Sequence, residues 1–342
     1  MLNIKEYILS KSKELGIDII GFTDAEALLN IEEYLQYRIK NNINTEFEET
    51  DIEKRINPKI TFPDCKSIIV IGISYNVDIE SDNSHVLKGS LSKSSWGMDY
   101  HKVLKTKIEE LILEIEKKTD FSYKYFVDTG PLVDRELAKK AGIGYYGKNC
   151  SIINEEYGSF IFIGYILTDL DLEIDESAVK DDCGDCDLCI RSCPTNALTS
   201  EYVVNPKRCI SYLTQTKGDI PEEFLEKMGT KIYGCDTCQL VCPKNKDVKK
   251  SCHKEFIPEI TKGIIDIKEL LNMSNREFKD KYGSMAGSWR GKNILKRNAI
   301  IALGNMKDIK NIDLLLEERG KDNPKLNFYI DWALDKINNN DD

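Results

Sequence analysis

The stretch Cys183–Pro194, CGDCDLCIRSCP, carries four cysteines spaced Cys183-x2-Cys186-x2-Cys189-x3-Cys193 and closes on Pro194. This is the spacing of a bacterial ferredoxin run. Three close thiolates grip three irons of one cubane cluster, and the fourth turns to a different cluster. A second set completes the count: Cys209 stands alone, and Cys235-x2-Cys238-x3-Cys242-Pro243 repeats the end of the run. Under crossed ligation Cys183, Cys186, Cys189 and Cys242 would hold one [4Fe–4S] cluster, and Cys193, Cys209, Cys235 and Cys238 the other. Two zinc sites are the alternative, but paired C-x2-C zinc ligands usually stand roughly a dozen residues or more apart, which does not describe this run.

Eight of the 11 cysteines fall in these 60 residues of a 342-residue chain. The length suggests about two domains, or three if one is small. An odd cysteine total and the absence of an apolar leader or twin-arginine pair in residues 1–20 disfavour a secreted disulfide scaffold. The longest apolar runs, around 68–73 and 160–167, are strand-sized, so no membrane span and a cytoplasmic location are expected. Cys65, Cys150 and Cys252 have no partner spacing and read as inert buried thiols. The three histidines, His85, His101 and His253, show no ligand spacing, so no histidine metal site is expected.

Residues 1–180 alternate strand and helix patterns, which predicts an α/β (α+β) domain, a sheet covered by helices. Strands are expected at Ile17–Phe22, Ser67–Tyr75 and Tyr123–Val127, with Cys150–Ile153 and Ser159–Leu167 forming a pair. Helices are expected at Ala25–Lys40, Asp99–Lys118 and Asp134–Ala141, and polar connectors at 41–57 and 78–95. Residues 181–250 form a ferredoxin-like unit. From 251 the chain turns helical, with candidates at Leu270–Tyr282, Asn293–Gly304, Ile309–Arg319 and Asn327–Ile337 and a disordered tail from 338. The last three helices resemble a helix-pair repeat. An electron carrier would not need the first 180 residues, so the clusters are expected to feed a reaction there.

That first domain has no nucleotide-binding fingerprint. Its densest unusual string is Asp128–Asn149, DTGPLVDRELAKKAGIGYYGKN, with four glycines that fit either close approach to a bulky ligand or tight turns. Asp134 opens a short helix. It is an ordinary N-cap unless a large ligand covers it and opposes the helix dipole, which favours the carboxylate. Trp96–His101, WGMDYH, opens the long helix, where capping by Asp99 is the bland reading.

At these residues the sequence resembles the epoxyqueuosine reductase family of queuosine synthesis in bacterial tRNA. The matching segments are EKRINP (53–58), WGMDYHKVL (96–104), 128–149, the two cysteine sets with the segment between them (209–243), and RGKNILKRNAIIALGN (290–305). The resemblance implies a cobalamin-binding N-terminal domain related to reductive dehalogenases, two [4Fe–4S] clusters and a C-terminal HEAT-like repeat. The implied substrate is epoxyqueuosine in a tRNA anticodon stem-loop, reduced from epoxide to alkene with loss of water. It implies Asp134 as the catalytic acid. It implies cobalamin contacts from Arg55, Tyr100, Asp134, Gly144, Asn149, Ser151, Ser211, Tyr212 and Lys217. No Asp-x-His-x-x-Gly string is present, which fits cobalamin without a histidine axial ligand. Residues 43–50 depart from the family pattern, and the C-terminal part has room for about one repeat.

Net charge is −10, but it is unevenly spread: residues 244–300 hold 14 Lys/Arg against 7 Asp/Glu. Without the resemblance a solvated helical face explains this. With it, Lys244, Lys246, Arg290, Lys292, Lys296 and Arg297 are expected to meet tRNA phosphates. An unidentified low-potential electron donor and a monomeric chain complete the expectation. The rival readings are a reductive dehalogenase-like enzyme acting on a small molecule, a ferredoxin-type electron-transfer protein and a zinc-stabilised RNA-binding protein.

Overall fold

The computed structural model describes residues 3–79, 87–175, 182–321 and 323–339. His85, the expected domain boundary at 180 and the end of the C-terminal tail lie outside them. Ser67–Ser74 is buried at every position, as its unbroken apolar run requires, and forms the middle of a four-stranded sheet. The order is Ile19–Asp24, Ser67–Ser74, Ile161–Thr168, Tyr123–Val127, and every neighbouring pair is antiparallel. The domain is therefore α+β rather than a parallel doubly wound sheet. Ile161–Thr168 does not form a hairpin ladder with Ile152–Ile153 as expected. Asn154 and Gly158 make a single bridge, and Ile152–Ile153 pairs instead with Tyr145–Tyr146.

The two-residue period of the strands separates two cores. Ile69, Ile71 and Ile73 face a layer made by helices Ile4–Glu14 and Tyr100–Glu116, the second contributing Leu104, Ile108, Leu111 and Ile115 at helical spacing. Ile68 and Val70 face the other layer, with Leu35, Ile56, Leu137 and Ala138. The expected helix at Ala25–Lys40 is shorter, Glu32–Lys40 after a 3-10 turn. The expected connector at 41–57 holds a helix, Ile52–Ile56, capped by Asp51.

A third core joins residues 210–233 to the C-terminal helices, including Ile210, Leu213, Leu225, Leu270, Ala299, Leu303 and Ile330. Packing thus crosses the expected boundary at 250. A small sheet makes the same link: Lys88–Leu91, inside the expected polar connector, lies between Lys231–Tyr233 and Ile264–Asp266. The expected helix Leu270–Tyr282 is two, Ile267–Asn272 and Asn275–Tyr282, because Ser274 and Glu277 form a capping box that restarts it. Lys292–Met306 packs against Pro324–Asn338. Among the described residues no helix is long and apolar enough to cross a membrane.

Candidate active site and cysteine centre

The strand Tyr123–Val127 ends at Asp128, which turns the chain in the left-handed region at φ 59°. A non-glycine residue held there carries local strain, a condition that recurs at functional sites. The chain then crosses Gly130, where a Cβ would stand 2.0 Å from the Tyr165 hydroxyl, and enters the helix Asp134–Lys140. Glycine is required at 130 by protein packing. The same holds at Gly144, where a Cβ would stand 2.4 Å from the Ile153 carbonyl oxygen. Turns and close backbone approach therefore account for much of the glycine density in 128–149.

Asp134 is not the N-cap of its helix. Val133 holds that place, and no side chain caps there. Part of Asp134 remains accessible, yet protein crowds its carboxyl. Burial and then the charge of Asp128 push its pKa up to about 7, against the opposing pull of the Arg135 guanidinium. A carboxyl that is half protonated near neutrality is matched to proton donation.

Asp128 is tied to the start of the long helix. Tyr100 Oη donates to Asp128 Oδ2 at 2.8 Å, and His101 Nε2 stands 3.4 Å from the same oxygen. The other ring nitrogen, His101 Nδ1, lies 2.7 Å from Asp99 Oδ1. Asp99 also accepts from the His101 backbone N–H, so capping the helix and orienting the imidazole are one arrangement. Burial lowers the His101 pKa, but the bonds to Asp128 and Asp99 outweigh it and raise it to about 9. Tyr100 stacks on Phe162 at 4.1 Å, which fixes its ring. Sequence reading assigned no role to His101 or Asp128. The signal was present in Asp-Tyr-His at a helix start and in an aspartate ending a strand.

The remaining expected pocket residues gather in two groups. Arg55 Nη1 donates to Glu48 at 3.0 Å, Glu48 also binds Arg38, and the Asp134 charge reaches Arg55. Asn149 Oδ1 accepts from the Ser151 N–H, while Asn149 Nδ2 is buried without a partner. Arg38 Nε is also buried and unpartnered. Unmet donors of this kind fit a polar ligand, because each is costly to leave dry and unpaired. In the second group Tyr212 Oη donates to Glu46 at 2.8 Å, Ser211 accepts through its carbonyl, and Lys217 is exposed. The loop 43–50, expected to depart from the family pattern, is the bridge. Glu46 also meets Arg290 and Thr216, and Phe47 lies between Tyr212 and Trp289.

None of the eight clustered cysteines is joined to another in a disulfide. Cys189 feels Cys242 and Cys183, and Cys242 feels Cys186. Cys209 feels Cys235 and Cys193, and Cys238 feels Cys209 and Cys235 most strongly. Burial first, and then these neighbours, raise the Cys209 thiol to about 11. Among the described residues no three of these sulfurs lie within 4.8 Å of one another. Cys65 and Cys150 are buried as expected, but Cys252 is exposed. It lies beside Asp18 and His253. Asp18 Oδ2 already accepts from the Ser74 N–H and pairs with His253 Nε2 at 2.8 Å, so that group is a satisfied staple between distant segments.

Two expected tRNA contacts are corrected by the structure. Arg297 is buried and donates to the carbonyls of Leu213, Thr216 and Gly218. Lys296 is buried against Glu318. Their side chains face the core because one side of Lys292–Met306 carries the inter-cluster segment and the other the helix Ile312–Arg319. Arg290 is largely covered, donating to the Gln215 carbonyl and stacking on Phe47 and Trp289. Lys292 donates to the Met273 carbonyl, Lys244 pairs with Asp182, and Lys246 is exposed.

Residues 182–245 match the family model described as a 4Fe-4S double cluster binding domain, and residues 55–129 match Epoxyqueuosine reductase QueG, DUF1730. The epoxyqueuosine reductase of Bacillus cereus is 43% identical over 341 residues, covering 98% of this chain and 89% of that protein. A crystal structure of epoxyqueuosine reductase with a tRNA-Tyr epoxyqueuosine-modified stem loop superposes with a TM-score of 0.94 at 41% identity, covering 98% and 91%. A structure of the Bacillus subtilis enzyme, described with its Asp134 catalytic loop swung out of the active site, gives 0.92 at 40% identity with the same coverage.

Proposed function

The chain belongs to the epoxyqueuosine reductase family, and from that premise we propose that it reduces epoxyqueuosine to queuosine at the tRNA wobble position. It is an oxidoreductase with a double [4Fe–4S] domain. The observation that carries the reading is the pairing, in one chain, of eight clustered cysteines that influence one another with a carboxyl poised near pH 7. We assign Cys183, Cys186, Cys189 and Cys242 to one cluster and Cys193, Cys209, Cys235 and Cys238 to the other. Their mutual influence supports that crossing.

The first domain, residues 1–180, is the cobalamin domain in this reading, 181–250 the cluster domain and 251–342 a helical, HEAT-like tRNA-contacting domain. Arg55, Tyr100, Asn149, Ser151, Ser211, Tyr212, Lys217 and the backbone at Gly144 are the candidate cobalamin contacts. The unpartnered Asn149 Nδ2 supports the assignment. When bound, cobalamin supplies a strongly reducing cobalt centre at the substrate carbon. The chain's own part is to place the epoxide oxygen against Asp134, whose proton keeps that oxygen from leaving as an alkoxide. Lys244, Lys246, Arg290 and Lys292 remain as candidate phosphate contacts, with Lys246 the most available. A cytoplasmic monomer drawing electrons from an external low-potential donor completes the picture.

The test is an anaerobic visible spectrum of protein purified with cobalamin supplied. We expect a broad iron–sulfur absorption that bleaches with dithionite, together with corrinoid bands. A colourless protein, or one with iron and sulfide that takes up no corrinoid, contradicts the reading.

A further inference from the structure

A buried charge is costly to keep, and a fold that only needs to hold a loop in place can do so with neutral groups. Lys148 is such a charge. Its side chain is 6% exposed. Nζ donates to the Gly184 carbonyl at 2.6 Å and pairs with Glu201 Oε1 at 2.7 Å. Gly184 lies between Cys183 and Cys186 and adopts φ 48°, a left-handed turn that glycine permits. The Cys186 N–H closes that turn on the Cys183 carbonyl at 3.0 Å. Lys148 is therefore fastened to the loop that carries the first two sulfurs of the run. Its own carbonyl accepts from the Tyr202 N–H at 3.3 Å, so the hairpin 198–204 grips it at a second point beside Glu201. The turn 147–151 that carries Lys148 is closed by the Gly147 N–H on the Ser151 carbonyl and the Cys150 N–H on the Gly147 carbonyl, both at 2.8 Å. Asn149, with its unpartnered Nδ2, is the next residue of that turn.

We propose that the Lys148 ammonium sets the reduction potential of the cluster assigned to Cys183, Cys186, Cys189 and Cys242, holding it above the value its thiolates alone would give. This rests on the function and the ligand assignment proposed above. The step concerned is the one-electron reduction of that cluster by the external low-potential donor, in which no bond breaks and no proton moves. Reduction adds a negative charge. A cation kept from water beside the ligand loop favours the reduced form, because net charge and solvent exposure are among the terms that set such potentials. Glu201 opposes the effect, but its carboxylate is 56% exposed and water screens it. The bond to Glu201 raises the Lys148 pKa against the effect of burial, and the charges of Glu201, Cys183 and Asp185 add to the rise. Lys244 also feels Cys183 and Cys242, but its side chain is 36% exposed and pairs with Asp182, so its charge is screened. Lys148 touches neither substrate nor reacting atoms and is a positioning residue.

The test is an anaerobic redox titration of the holoenzyme, followed by the electron paramagnetic resonance of the reduced clusters. Two clusters give two reduction steps. Lys148→Met should move one step to lower potential, by about tenfold in the oxidised-to-reduced ratio, which is ~59 mV for one electron. Lys148→Arg should keep that step near its wild-type position. Glu201→Gln should move the same step the opposite way, because it leaves the ammonium unopposed. The other step should stay in place throughout. A residue that only bolts the loop predicts no such opposed signs. Steps that ignore both Lys148→Met and Glu201→Gln, or that move in the same direction in the two variants, overturn the proposal. If Lys148→Met loses its cluster, Glu201→Gln decides alone: a raised potential supports the proposal and an unmoved one overturns it. Wild-type protein without iron and sulfide for two clusters contradicts the proposed function and this inference together, whereas a full complement with unmoved potentials contradicts the inference only.

Discussion

Two aspartates open helices in the catalytic domain and end in opposite states. Asp99 caps Tyr100–Glu116. Burial raises its pKa, but the His101 side chain and backbone bonds outweigh that and hold it below the ordinary carboxylate value. Asp134 begins Asp134–Lys140 without capping it, and burial with Asp128 beside it carries it up to about 7. The same residue type at the same kind of position is an anchor in one region and an acid in the other. The difference lies in what the fold brings alongside: a cation for Asp99, a second carboxylate for Asp134.

The largest effect that could break this contrast is on catalysis. Asp134→Asn should lower single-turnover reduction of an epoxyqueuosine stem-loop by about 10²–10⁴-fold, the range of a positioned general acid. Both cluster spectra should be retained. Turnover at the wild-type rate would leave Asp134 as an ordinary helix residue.

A second effect separates the chain's two uses of arginine and lysine. Arg297→Ala leaves the carbonyls of the buried Leu213 and Thr216 without their donor, at about 1–3 kcal/mol each, so chemical denaturation should show a loss of several kcal/mol. The salt slope of tRNA binding should not move. Lys246→Ala should do the reverse, with wild-type stability and a salt slope shallower by about one unit or slightly less. A shallower slope in a folded Arg297→Ala would return that residue to the phosphate surface.

The smallest effects sharpen the contrast most, because their signs are opposed. Asp134 has a raised pKa. Its contribution to stability is fully present below about pH 4 and is lost as pH rises through about 7. Asp134→Asn removes that loss, so the variant should melt higher than wild type at pH 8, by about 2–4 °C for each kcal/mol relieved. Asp99 has a lowered pKa. Its contribution is present above its unfolded value and is lost as pH falls through the folded one. Asp99→Asn keeps a capping side chain but removes the charge facing His101, so it should melt lower than wild type at pH 8, and the difference should vanish in acid. Asp99→Ala should cost a further 0.5–2 kcal/mol, roughly, from loss of the cap. Shifts of the same sign at pH 8 for the two asparagine variants would erase the distinction.

The sequence made some of this legible and hid the rest for physical reasons. Ser67–Ser74, Tyr123–Val127 and Tyr100–Glu116 carry strong local periodicity and were placed within a residue or two. The cysteine sets were legible because cluster ligands cannot stray from their spacing. Strand partners were not, since Ile161–Thr168 finds its neighbours across the chain rather than in the nearby Ile152–Ile153. Lys88–Leu91 was hidden because a short strand between two distant ones needs no pattern of its own. Charge was the poorest guide: Lys296 and Arg297 read as surface cations until their helix was seen to be covered on nearly all sides. The contact between His101 and Asp128 was invisible because it depends on the turn at Asp128, far along the chain.

The most direct measurement is the mass of the wobble nucleoside after a stem-loop carrying epoxyqueuosine is incubated anaerobically with the reduced, cobalamin-loaded protein. The account predicts loss of one oxygen atom at that nucleoside, in step with oxidation of the clusters. An unchanged nucleoside, with clusters and corrinoid both present and reduced, would contradict it.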